Sequence, residues 1–402
     1  MTPALVAPRN TARVERGRAM LMTASLSLKG GAETQTAEIA LGLRARGWEV
    51  DLVTLLPPAP PVPDLAGTGI REHCLNMRPG FPDPSAILRL AGLVRRLRPN
   101  VVNSHMTHAN LLARAARPFC AMPVLVCTLH GYKMYSVRSV RCGFREVAHR
   151  LTDGLADMTT VVCEAAAERY ARIGAVAPAK LLVVPNGIRM EAYRRDAATR
   201  KRERFALGLG DEFCWLAAGR LEKVKDYPTM LRAFRVALEA DHRQVLMIGG
   251  DGTLREELER MARELEVAAN VRFLGYRSDL PNLLAAADGF AMSSIFEGMP
   301  LVLLEAAASS LPIVATRVGG NPEIVVEGKG GFLTPSQDPA ALGRAMQRVV
   351  SMSPAERSGM GAAAREFVRG RHAMSAVLDR WEDLYFDLLD RKPAGSRGRV
   401  AR

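Results

Sequence analysis

No apolar run in these 402 residues approaches the roughly 18 that a membrane-spanning helix needs. The opening stretch, MTPALVAPRNTARVERGRAM, is basic and polar and lacks the apolar core and cleavage site of a secretory signal. It reads as a disordered lead. The six cysteines, at 74, 120, 127, 142, 163 and 214, form no Cys-x-x-Cys, which argues against a zinc site or a disulfide framework. A reducing, cytoplasmic setting follows. Aromatics are only 5% of the chain, and basic residues are dispersed rather than interleaved with them, so nucleic acid is not expected as a partner. Acids are too few to balance the bases. The net charge is +13, of which residues 1–190 carry +11 and residues 191–402 carry +2. A basic first half suits anionic lipid surfaces or phosphate-bearing substrates, or it reflects a general richness in arginine.

What is present is length and alternation. With 48% hydrophobic residues the chain can fill two or three cores. From residue 18 to 56 it reads strand, glycine turn, helix, strand. Helices at PSAILRLAGLVRRLR, HANLLARAARPF and EAAAERYARIG then alternate with strands at NVVNSH, VLVCTLH and MTTVVC. The short, uniformly apolar strands are those of a parallel sheet covered on both faces. PNGIRMEAYRRDAATRKRERFAL breaks the pattern with a turn and a charged stretch, and places a boundary near 190–205. Alternation restarts at FCWLAAGRL and continues to PIVAT, after which the chain reads as helical to SAVLDRWEDLYFDLLD. The predicted fold is α/β, with two doubly wound parallel sheets. The expected domains are a basic lead at 1–19, domains at 20–195 and 196–370, a helical stretch at 371–391, and a disordered basic tail at 392–402. In such sheets ligands bind beyond the carboxyl ends of the strands.

The unusual residues fall at those ends. In GRLEKVKDY, Arg220 closes a strand and Lys225 precedes a helix starting near Asp226, so two cations suit a diphosphate. In FEGMPLVLLEAAAS, seven residues separate Glu297 from Glu305. Pro300 suits the first turn of a helix, leaving the amides of Gly298, Met299 and Leu301 for sugar hydroxyls or phosphate. Glu305 lies one helical turn beyond Leu301 on the same face. A carboxylate on an apolar helix needs a partner, which is either backbone or the hydroxyls of a ribose or sugar. Gly30 and Gly31, and again Gly250, sit at strand-to-helix turns where a ligand can approach the backbone, yet neither run is Gly-x-Gly-x-x-Gly. His105, His108 and His130 fall at strand ends without an acid at ligand spacing, so hydrogen bonding to a polyhydroxy substrate is favoured over metal binding.

Together these residues resemble the retaining glycosyltransferases of family four. The resemblance runs over about residues 20–390, through the Glu297/Glu305 spacing, the Arg220 and Lys225 pair, and the stretches 249–288 and 312–335. SHMTHANLLARAAR and TLHG look like bacterial members that build lipid-linked or surface polysaccharides. The resemblance implies two Rossmann-like domains facing a cleft, the GT-B fold, with the helix Ser375 to Asp390 returning to the first domain. It implies transfer of a hexose-type sugar from a nucleotide diphosphate sugar, UDP ahead of GDP, to a hydroxyl of a glycan or polyprenyl-diphosphate-linked acceptor.

Roles follow by the same resemblance. Arg220 and Lys225 would hold the diphosphate and stabilise its departing charge. Glu297 and the Gly298, Met299, Pro300, Leu301 segment would sit beside the donor sugar, and Glu305 would bind the ribose. Gly250 and Arg277 would border the donor, with main chain from 275 to 277 near the base. His130 would line the reaction centre. Gly30, Gly31, His105, His108 and Asn110 would face the acceptor. Retention without an obvious nucleophile suits front-face attack, with the acceptor proton passing to the leaving phosphate oxygen; a covalent route through Glu297 is the minority reading. No Asp-x-Asp lies at a suitable strand end, so the cations stand in for a metal and no cofactor is required. Arg138, Arg141 and Arg145 share a spacing compatible with one helical face, and Tyr132, Tyr135 and Phe144 lie nearby, which fits either an anionic membrane surface or a solvated helix. Two rivals to transfer are a sugar-nucleotide epimerase on the same fold and a basic nucleic-acid-binding protein. A two-domain dehydrogenase lacks its glycine fingerprint.

Overall fold

A computed structural model of the protein describes residues 17–27, 30–60, 65–80, 83–131 and 143–392. Arg138 and Arg141, Tyr132 and Tyr135, and nearly all of the basic lead and tail lie outside the described residues.

Thirteen strands are formed among them: β1 (Arg18–Thr23), β2 (Glu49–Thr54), β3 (Arg71–Cys74), β4 (Val101–His105), β5 (Val124–Leu129), β6 (Met158–Val161), β7 (Leu181–Val183), β8 (Phe213–Ala218), β9 (Gln244–Gly249), β10 (Val271–Gly275), β11 (Gly289–Met292), β12 (Ile313–Thr316) and β13 (Gly331–Thr334). The first sheet has the order β3-β2-β1-β4-β5-β6-β7 and the second β10-β9-β8-β11-β12-β13. The strand pairings β1–β2, β1–β4, β2–β3 and β4–β5 in the first sheet, and β8–β9, β9–β10, β8–β11, β11–β12 and β12–β13 in the second, are parallel. The α/β fold with two doubly wound parallel sheets is therefore as the alternation predicts. Each sheet starts in the middle, runs outward to one edge, and then returns to build the other side. The direction reverses between β1 and β4 in the first sheet and between β8 and β11 in the second, and such switch points open a crevice at the strand carboxyl ends.

Strand β8 shows why these sequences make buried strands. Cys214, Leu216 and Ala218 point to one apolar layer, and Phe213, Trp215 and Ala217 to another. With a period of two, a strand buried on both faces must be apolar throughout. The first sheet packs a corresponding core around Met20, Met22, Val102 and Leu125.

Two compact units emerge. One takes the described residues up to 128, 147–159 and those from 381 on; the other takes the described residues of 129–146 and 160–380. Within the first, the end of the last helix (Met374–Asp390) is pinned: Glu382 accepts from Trp48 Nε1 at 2.9 Å and pairs with Arg46 at 2.7 Å.

Three sequence expectations change. The charged stretch near 197–206 is a helix, Ala197–Ala206, because Asp196 caps it by accepting from the Thr199 amide. Strand β3 was not anticipated because it is a polar, partly exposed edge, REHC. Strand β13 was not anticipated because its four residues sit in a glycine-rich run.

Candidate donor-binding site

The second sheet brings the cation and acid motifs together by topology alone. Arg220 and Lys225 follow β8, Glu297 follows β11, and those two strands are neighbours on either side of the switch point. Lys225 closes a short 3-10 turn, and Asp226, held in the left-handed region at φ 48°, caps the helix Tyr227–Leu238. Lys225 Nζ then lies 2.6 Å from Glu297 Oε1, with both side chains largely buried. Ser294 Oγ donates to the same oxygen at 2.7 Å. The loop is fixed further by Ser293 Oγ donating to the Lys225 carbonyl at 2.8 Å and by the Ile295 amide donating to Val224 O at 2.9 Å. Arg220 is exposed, and its side chain has no partner among the described residues.

The segment 297–300 runs through a narrow space. A Cβ added to Gly298 would stand 2.2 Å from the carbonyl oxygen of His130, so only glycine allows this approach. On the other side the Gly320 amide donates to the Gly298 carbonyl at 2.7 Å. Asn186 Nδ2 donates to the Met299 carbonyl at 2.8 Å. Carbonyls are thus tied down, while the amides of Gly298, Met299 and Leu301 donate to nothing among the described residues. Pro300 differs from expectation by one position. It is the N-cap, with extended backbone at φ −73° and ψ 123°, and the helix runs Leu301–Ala308. The free donors remain at a helix N-terminus, where the aligned peptide dipoles favour an anion.

Glu305 answers the question of an acid on an apolar helix in part. Tyr193 donates from its hydroxyl to Oε1 at 2.8 Å, and Oε2 is buried with no partner among the described residues. Burial pushes its pKa up to about 7, against the lowering effect of the Tyr193 hydrogen bond. One oxygen is therefore held and the other keeps unfilled hydrogen-bonding capacity. His130, in the same unit, is held down to about 4 by burial and is neutral at pH 7.

Other predicted donor residues are already engaged. The Gly250 amide donates to Gly275 O at 2.8 Å, and a Cβ there would meet Gly219 O at 2.0 Å, so this glycine lets two main chains pass. Arg277 is held by Asp279 at 2.7 Å through Nε. Sequence reasoning did not single out Tyr193, Ser294 or Asn186. The Asn-Gly turn at 186–187 was a visible signal; Tyr193 lay in a stretch read as charged connection, and nothing marked its partner.

The residues expected to face an acceptor lie in the other unit. Gly30 is the N-cap of the helix Gly31–Ala45, packed against the Glu33 carboxylate. His108 is exposed on the helix Thr107–Ala116. His105 and Asn110, expected to face the acceptor, are instead both fully buried. Asn110 accepts from Ser104 Oγ at 2.7 Å and donates to Thr128 O at 2.9 Å. The His105 ring packs against Trp381, with centroids 6.2 Å apart. Buried polar groups satisfy one another where water cannot reach.

The family model described as "Glycosyl transferases group 1" matches residues 199–367, and "Glycosyl transferase 4-like domain" matches residues 30–187. The chain belongs to family four of the glycosyltransferases. A GDP-mannose-dependent alpha-(1-6)-phosphatidylinositol monomannoside mannosyltransferase of Mycobacterium tuberculosis is 31% identical over 291 residues, covering 70% of this chain and 72% of the relative. A UDP-Gal:alpha-D-GlcNAc-diphosphoundecaprenol alpha-1,3-galactosyltransferase of Escherichia coli is 27% identical over 317 residues, covering 77% of this chain and 81% of the relative. Among solved structures, Anabaena Alr3699/HepE in complex with UDP superposes with a TM-score of 0.80 at 19% identity, covering 92% of this chain and all of that one. For this glycosyltransferase that likeness establishes the GT-B fold.

Proposed function

We propose that this glycosyltransferase moves a hexose-type sugar, with retention, from a nucleotide diphosphate sugar to a hydroxyl of a glycan or polyprenyl-diphosphate-linked acceptor in surface polysaccharide synthesis. Residues 196–370 take the donor and residues 20–195 the acceptor. The observation that carries this reading is the set at one strand edge: a Lys225–Glu297 pair at 2.6 Å, three unused amides, and a carboxylate oxygen of Glu305 with no partner. Cations and amides suit a diphosphate, and a half-engaged carboxylate suits a ribose hydroxyl. A UDP-sugar is favoured over a GDP-sugar; the two relatives named above carry one base each.

In the mechanism, Arg220 and Lys225 neutralise the charge that grows on the leaving diphosphate, as fixed donors do best in a site of low dielectric. The acceptor hydroxyl attacks the anomeric carbon from the face the nucleotide leaves. The C–O bond to phosphate breaks as the new glycosidic bond forms, and the hydroxyl proton passes to the departing phosphate oxygen. Glu297, ion-paired to Lys225, orients that cation rather than attacking. Neutral His130 offers hydrogen bonds to the sugar. No metal is required, because the two side-chain cations supply the charge.

The helix Phe144–Thr152 adds a surface that the arginine spacing only hinted at. Phe144 is 86% and Leu151 80% exposed, with exposed Val147 between them and Arg145 and Arg150 also exposed on the same helix. Apolar residues flanked by cations suit the inner face of a plasma membrane, where a lipid-linked acceptor resides.

A panel of sugar nucleotides tests the donor reading by thermal stabilisation, which grows with ligand concentration over its dissociation constant. One donor should raise Tm well above the rest, and Glu305→Ala should abolish that rise. Equal response to all donors, or full response in the variant, overturns the assignment. Incubating the winning donor alone should give slow hydrolysis; an epimerised sugar nucleotide would point to the rival chemistry.

A further inference from the structure

At the amino-terminal edge of the second sheet lies a cavity of about 590 Å³ lined by Arg194, Arg195, Arg200, Arg357 and Arg365. A single carboxylate, Asp288, joins them. Asp288 immediately precedes β11, and Pro312, also in the lining, immediately precedes β12. The donor residues follow the carboxyl ends of these parallel strands, so the cavity belongs to the opposite edge of the sheet.

Part of this cluster has a structural task. Arg195 and Arg200 donate to the last carbonyls of the helix Leu280–Ala286, reaching Ala287 O at 2.6 Å and Ala286 O at 2.8 Å. That is the helix end where cations are favoured. Asp288 is used up by Arg200 at 2.6 Å and by Arg204 at 3.0 Å. The remaining charge has no such task. Arg194 has no hydrogen-bond or ion-pair partner among the described residues. Arg357 uses Nη1 on the carbonyls of Val350 and Met352 and lies over the Phe213 ring, and among the described residues Arg365 reaches only the carbonyls of Tyr193 and Met190. Carbonyls accept hydrogen bonds but neutralise no charge. Five guanidinium groups around one carboxylate repel one another, and burial with the neighbouring Arg200 charge already holds Arg195 down to about 10. Planar guanidinium forks match phosphate oxygens two at a time.

We propose that this arginine-lined cavity is a second anion site, separate from the donor site, that binds a phosphate-rich ligand bearing two or more phosphoryl groups or a phosphodiester headgroup. Its volume falls within the range of roughly 300–1,000 Å³ usual for small-molecule sites.

The test uses the full chain carrying Arg220→Gln and Lys225→Gln, so that the donor site cannot report. Inorganic tripolyphosphate and, in parallel, dihexanoyl phosphatidylglycerol below its micelle concentration are titrated by calorimetry. The same titrations are repeated after adding Ser358→Glu, which places a negative charge on an exposed lining residue without touching the carbonyl network. Arg194→Gln serves as a second cavity variant, since that side chain holds nothing else. We expect at least tenfold weaker binding in Ser358→Glu and a smaller loss in Arg194→Gln, with affinity falling as salt rises. Loss for tripolyphosphate identifies a free polyphosphate, and loss for the lipid identifies a headgroup. If neither ligand binds, or both bind equally well in the two cavity variants, the site does not exist.

Discussion

The two sheets reverse direction at the same place in their strand order, and the two switch points are furnished in opposite ways. In the first, the polar side chains consume one another. Ser104 donates to Asn110, Asn110 to the Thr128 carbonyl, Thr128 to Asn103, and Asn103 to the Tyr385 hydroxyl, all buried. In the second, among the described residues, Arg220 is exposed, three amides are unused, and Glu305 keeps one oxygen without a partner. The same topology therefore supplies a closed polar lock in one sheet and an open, charged site in the other. Position at a strand end makes a residue a candidate; unfilled hydrogen-bonding capacity makes it a stronger one.

The strongest test of that contrast is Lys225→Met. It should lower kcat/KM by roughly 10²–10³, the usual loss for one fixed donor to a developing negative charge. Steady-state kinetics with the winning donor measure it, and a loss below threefold would place the charge-stabilising group elsewhere. Gly298→Ala follows, since its methyl group must displace the His130 carbonyl. Activity should fall at least tenfold, and Tm should fall with it.

Glu305→Gln should weaken donor binding by about ten- to a hundredfold. It also has a pH signature. The folded protein holds the Glu305 proton up to about pH 7, whereas the ordinary carboxyl value is 4.5. Between those values the folded state binds more protons than the unfolded chain, so stability falls as pH rises from about 4.5 to about 7. The glutamine variant should lose part of that slope in denaturant titrations, by roughly 1–3 kcal/mol across the window. Glu323, raised to about 7 by burial, keeps the rest. Donor affinity of the unaltered protein should climb through pH 7, because hydroxyl donors favour the carboxylate.

Phe144→Asp combined with Leu151→Asp should cut vesicle flotation several-fold while leaving donor stabilisation intact. Asn110→Ala completes the comparison from the closed side. It should cost about 1–3 kcal/mol of stability by stranding buried partners and change the donor KM by less than twofold. A large donor effect there would mean that the first switch point is not merely a lock.

Much of this was legible in the chain. Uniform apolar strands between amphipathic helices specify parallel sheets, and the seven-residue gap between Glu297 and Glu305 marks the candidate site. The sequence also places Arg220 and Lys225 after one strand and Glu297 after another, because period and turn chemistry are local. It does not say that those strands are neighbours, that Tyr193 claims one oxygen of Glu305, that Asn110 and His105 turn inward, or that arginines from three stretches line one cavity. Such facts depend on which side chains meet across tens or hundreds of residues and on which polar groups are left over once they have met. Local propensity fixed the elements; only packing decided which groups remained unsatisfied, and those are the groups a ligand can use.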